Sequence, residues 1–158
     1  MKIGGGKYQF LIFIIVFSFV LNLVLVNQVF CYDTNMAHPG IADLAVKFYN
    51  QNNNKKISAE QLGWIKAGAQ AEDVPTRWLN HFYDPVYNRG LNFLGQHVSG
   101  KEWSKNFQEQ KNYALGDKSW PRAINDYRRG DYENAFKELG HNIHLVSDVL
   151  VPAHTRED

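Results

Sequence analysis

The stretch from Tyr132 to Leu150 constrains this chain more than any other. At about 100° per residue, Ala135, Phe136, Leu139, Ile143, Val146 and Leu150 gather on one side of a helix, and His141, His144 and Asp148 on roughly the opposite side. Asp131 supplies an N-cap, and Pro152 bars continuation. Such a helix must bury its apolar side against other elements. Periodicity alone leaves the histidine side as a polar, solvated face. Yet His144 and Asp148 stand one turn apart on that face, and imidazole and carboxylate are ligands that zinc takes from proteins. His154 lies just past Pro152, where its side chain can turn back towards the same pocket.

The segments before this helix also read as helices. His38-Pro39-Gly40 introduces one expected over Ile41–Asn50, with Ile41, Leu44, Ala45 and Phe48 as its apolar stripe. Ser58 and Gln61 have the spacing of a capping box and open a second, running to about Glu72, with Leu62, Ile65 and Ala69 inward. The span from Val74 to Leu91 has no clear period and is rich in aromatics, including Trp78, Phe82 and Tyr83; long aromatic loops are more often functional than decorative. A weak helix is expected around Trp103–Tyr113. Ser119-Trp120-Pro121 then opens another, which Gly130 stops. With no convincing strand alternation, the expected fold class is all-α.

Three further ligand-type residues lie upstream: His38 in AHPG, Asp73 in EDVP and His81 in NHFYDP. Each has an ordinary reading, as a turn residue, a helix terminus or an aromatic turn, and only together with the downstream three do they suggest a metal site. Glu72 competes with its neighbour Asp73. His141 is assigned a supporting or surface role, and His97 a place in a loop. Arg77, Arg128, Arg129 and Arg156 are candidate phosphate contacts, although most arginines are simply solvated. Cys31 is the lone cysteine, which excludes a disulfide framework and a thiolate metal site.

The first residues are of a different material. After Lys2 and Lys7 the chain is almost purely apolar from Phe10 to Val26, as in a secretory signal peptide or a single membrane anchor. Either puts the rest of the chain, 32–158, outside the cytoplasm, and residues 1–31 apart from the fold. The 17 basic residues nearly balance the 16 acidic ones. Without Lys2 and Lys7 the acids lead by one, which gives no electrostatic footprint for duplex nucleic acid. Small phosphoesters handled by metals stay open.

In this order, His38, GAQAED, NHFYDP and AFKELGHNIHLVSDVLVPAH resemble the bacterial zinc-dependent phospholipase C family, which is related to the single-strand-specific zinc nucleases. The resemblance runs from about Met36 to the end. It implies an all-α fold around up to three zinc ions, and hydrolysis of a phosphodiester by metal-activated water. By the same resemblance His38 serves one zinc, and Asp73, His81 and His144 a second. Asp148 bridges these two, His154 begins a third site, and Asp73 also orients the attacking water. In the family a tryptophan at the mature N-terminus and an HxxxE or HxxxD pair on a later helix complete the ligands. No tryptophan precedes His38 and no further histidine follows His154 in this sequence, so it is expected to be the N-terminal part of a longer domain. Phospholipid at a membrane surface is the implied substrate. A nuclease or nucleotidase with the same metals, its bases stacked on Trp78, Phe82 or Tyr83, is the alternative, and so is a non-catalytic envelope protein with a degenerate site.

Overall fold

The computed structural model describes residues 36–155, and the expected N-terminal leader lies outside them. The described chain is helical: α1 (Ala37–Asn52), α2 (Ala59–Ala71), a 3₁₀ turn (Arg77–Asn80), α3 (Gly100–Trp103), α4 (Phe107–Gln110), α5 (Trp120–Arg128), α6 (Tyr132–Asp148) and α7 (Pro152–Thr155). Among the described residues the only β pairing is two isolated bridges, Asp84 with Arg89 and Asn92 with Gln96. None of the described helices is long and apolar enough to cross a membrane.

Helix boundaries follow local chemistry. Ser58 Oγ accepts from Gln61 N at 3.2 Å, and Gln61 Oε1 accepts from Ser58 N at 2.9 Å, closing the capping box that starts α2. Asp131 caps α6 by accepting from the Asn134 backbone and side chain. Between α5 and α6, Gly130 turns the chain with φ 84°, a left-handed conformation that glycine adopts without a Cβ clash.

Helix α6 is the centre: it packs on α2, α5 and α1, and α2 packs on α1. Ala42, Val46, Ile65 and Ala69 form the apolar core, flanked by Ile57, Leu62, Phe136, Leu139 and Ile143. Two glycines set the approach of α2 and α6. A Cβ on Gly68 would lie 1.9 Å from the Lys137 carbonyl oxygen, and one on Gly140 would lie 2.0 Å from the Ile65 carbonyl oxygen. The backbones therefore meet with no side chain between them.

Several expectations change. Helix α1 begins at Ala37 instead of Ile41, because a proline in the first turn gives up an N–H that has no partner there anyway. The expected stripe is also rotated. Leu44 and Phe48 are 66% and 69% exposed, while Ala42 and Val46 are buried in line with His38. On α6, which ends at Asp148, the expected apolar side is kept at Ala135, Phe136, Leu139 and Ile143, but Val146 and, beyond the helix, Leu150 are exposed, while His141, His144 and Asp148 are buried. The helix expected around Trp103–Tyr113 is two short turns, α3 and α4. Arg77 is fully buried, so it is neither a solvated arginine nor an exposed phosphate contact.

Candidate metal centre

The polar faces of the helices meet inside the molecule. His38 comes from the first turn of α1, Asp73 from just beyond α2, His81 from the end of the 3₁₀ turn, and His144 and Asp148 from successive turns of α6. Proximity in sequence links only the last pair. The close packing of α2 and α6 at Gly68 and Gly140 brings the others within reach.

Donor atoms converge. His144 Nε2 lies 3.1 Å from Asp148 Oδ2, 3.5 Å from Asp73 Oδ1 and 3.3 Å from His81 Nδ1. His81 Nδ1 lies 2.8 Å from Asp148 Oδ2 and 3.7 Å from Asp73 Oδ1. His38 Nε2 lies 3.5 Å from Asp148 Oδ1 and 3.9 Å from Asp73 Oδ2. Short as some of these separations are, Asp148 Oδ2 and Asp73 Oδ2 are buried without an aligned hydrogen-bond partner. Carboxylate oxygens left unsatisfied among converging ring nitrogens fit a shared cation better than a closed hydrogen-bond network. Two groups have ligand geometry: His38, His144 and Asp148, and Asp73, His81 and His144. These groups can hold a metal ion, and nitrogen with carboxylate oxygen is a donor set for a divalent cation of borderline hardness.

Outer partners fix two of the imidazoles. His144 Nδ1 donates to the Ala69 carbonyl at 2.7 Å, which leaves Nε2 facing the cluster. Ser147 Oγ spends its only proton on the His144 carbonyl at 2.7 Å. It must therefore accept from His38 Nδ1 at 2.8 Å, so His38 also turns Nε2 inward. Holding the outer ring nitrogen in this way is how proteins set the tautomer of a metal-binding histidine. Behind His81 stands Glu72, fully buried. Arg77 donates to both its oxygens, Nε to Oε2 at 3.0 Å and Nη2 to Oε1 at 3.1 Å. Trp103 Nε1 donates to Oε1 at 2.8 Å, and His141 Nδ1 lies 2.5 Å from Oε2.

Electrostatics follow this crowding. Burial alone would lower the pKa of His144, but Asp148 and Asp73 outweigh it and push it up to about 10. Burial would raise Asp148, and His144 and His81 reverse this and hold it well below the usual carboxylate range. Asp73 is held down in the same way. His38 drops to about 4, chiefly through burial and then through repulsion from His144. Burial would raise Glu72, yet His141, His81 and Arg77 keep it well below its normal value.

Of the six residues expected as ligands, five share this cluster. The sixth, His154, belongs to neither ligand group. It is half-buried in α7 with its ring 5.0 Å from Phe82 and its Nδ1 buried without a partner, and its carbonyl accepts from Tyr83 N at 2.9 Å. The sequence reading missed Ser147 and the Ala69 carbonyl, and a backbone oxygen leaves no mark in a sequence. It did note Glu72, but as a rival to Asp73. Arg77, five residues on in a stretch without period, was the available sign that Glu72 is committed elsewhere. His97 stays in its loop, where Nε2 contacts the Phe93 carbonyl at 2.8 Å. No family model matches the chain, and no curated protein matches it.

Proposed function

We propose that the chain is a zinc-dependent phosphoric ester hydrolase of phospholipase C type, an exported enzyme meeting its substrate at a membrane surface. The observation that carries this reading is the buried cluster itself. Three imidazoles and two carboxylates from four separate segments turn their donor atoms on one another. Burying so many titratable groups is costly without a compensating charge, and a divalent cation supplies one.

Zinc contributes Lewis acidity and brings bound water close to ionising at neutral pH. The chain's own groups do the rest. His38, His144 and Asp148 would hold an ion at one position and Asp73, His81 and His144 at another, and His144, with only Nε2 free, would serve one of the two. Asp148 contributes to both sides, with Oδ1 towards His38 and Oδ2 towards His81 and His144. Asp73 is the one carboxylate of the cluster with a solvent-facing edge, its side chain 25% exposed. It is therefore placed to accept a proton from water approaching a phosphorus. His154 stands by as a donor from α7, with Phe82 and Tyr83 beside it.

Zinc content and hydrolysis of the wild-type chain, of His144→Ala and of Asp148→Ala test this. The wild type is expected to hold zinc and to hydrolyse lecithin in micelles, and both variants to lose zinc and activity together. Full zinc stoichiometry in either variant removes the assignment. Cleavage of single-stranded DNA in preference to lecithin reassigns the enzyme as a nuclease. A wild type that takes up no zinc leaves a non-catalytic protein.

A further inference from the structure

His81 is the exception among the three histidines. His38 and His144 turn Nε2 into the cluster and give Nδ1 to a fixed acceptor. His81 is reversed: its Nδ1 faces Asp148 at 2.8 Å and His144 at 3.3 Å. Its Nε2 points away and is buried without a hydrogen-bond partner. The carboxylate facing that nitrogen is Glu72, with Oε1 at 3.6 Å, longer than a hydrogen bond but a strong field at a site closed to water. Glu72 cannot drift away. Arg77, Trp103 and His141 hold it, and Arg77 is itself pinned to the Ala114 and Gly116 carbonyls at 3.1 and 3.0 Å.

We propose that Glu72 is a positioning residue for the candidate metal centre: it keeps the proton of His81 on Nε2 and so presents Nδ1, bare, to the cluster. The role rests on the metal reading above and adds to it a tautomer for one ligand and the residue that sets it. Glu72 touches no reacting atom. Its alignment comes from Arg77, Trp103 and His141, so Arg77 and α3 act on the centre through a single carboxylate.

Nitrogen-15 chemical shifts of His81 in the zinc-loaded wild type test this directly, with no mutation. Zinc on Nδ1 and a proton on Nε2 are expected. Zinc on Nε2 overturns the role of Glu72 while leaving the metal centre in place. Zinc affinity is the second readout. Because Glu72→Gln alone strands the buried Arg77 guanidinium, it is paired with the Glu72→Gln/Arg77→Met double variant, which removes both charges. A folded variant is expected to bind zinc some ten- to a hundred-fold more weakly, the range for lost outer-shell partners, with altered His81 shifts. Unchanged affinity and unchanged shifts in the folded double variant overturn the proposal. A wild type that binds no zinc overturns it together with the reading it rests on, and the wild-type arm tells the two failures apart.

Discussion

At the scale of single residues, this protein places charge where most proteins place hydrocarbon. His144, Asp148 and Glu72 are each at most 1% exposed, and each is answered by named partners. Glu138 is the exception outside the centre. It is buried on α6, 3.6 Å from Lys118 Nζ and 3.8 Å from Arg122 Nε, with Oε2 unpartnered. Burial first, and then Asp126, push its carboxyl up from 4.5 to about 7, against the pull of Lys118 and Arg122. Between those two values the folded chain keeps a proton that the unfolded chain has released. Stability from this group is therefore full at low pH, falls as pH rises towards about 7, and stays lost above it. Glu138→Gln is expected to remove that fall and to stabilise the protein above neutrality by roughly 2 kcal/mol. Thermal unfolding of both proteins across this pH range, with a chelator present, checks it. Parallel profiles would show that Glu138 is not the group responsible.

At the scale of elements, the decisive contact is α2 against α6. Gly140→Ala puts a methyl into the Ile65 carbonyl, and the helices must part. The expected loss is at least about 1–3 kcal/mol, more than the roughly 1 kcal/mol that alanine gains in a helix interior. Metal uptake should fall as well, because the Ala69 carbonyl that orients His144 rides on α2. Gly63→Ala, on the same helix with open space around it, is expected to stabilise and leave metal uptake alone. Urea unfolding with zinc titration separates the two, and equal effects would deny the close contact its role. Here the sequence was informative about where most helices lie and about the core sides of α2 and α6, and silent about what the polar sides of α1 and α6 meet. Ser58, Gln61, Gly130 and Asp131 act locally, and their signals were legible. The rotation of α1 and the burial of the polar side of α6 were not, because hydrophobic periodicity assumes that the polar side meets water. In this fold it meets three other polar segments instead. That left the exposed Leu44, Phe48, Val146 and Leu150 assigned to the core. His38, Asp73 and His81 were identifiable only by residue type and order, and their meeting depends on packing no local rule encodes.

At the scale of the whole molecule, the centre ties together α1, the end of α2, the 3₁₀ turn and α6, while the apolar core is small. Much of the stability of the loaded protein should therefore come from the ion. Binding at a thousand-fold excess over Kd is worth about 4 kcal/mol. Chelation is expected to lower the urea midpoint accordingly, and an unchanged midpoint would show that the cluster holds together without an ion. The uneven burial of the five candidate ligands bears on time as well as energy. Four are sealed to within 3% of full burial, and only Asp73 reaches solvent. Among the described residues, a cation that swapped with the medium while the helices stayed packed would find its exposed edge at Asp73. An Asp73→Asn substitution is then expected to change the rate at which zinc exchanges as well as its affinity, which a zinc-exchange time course would read.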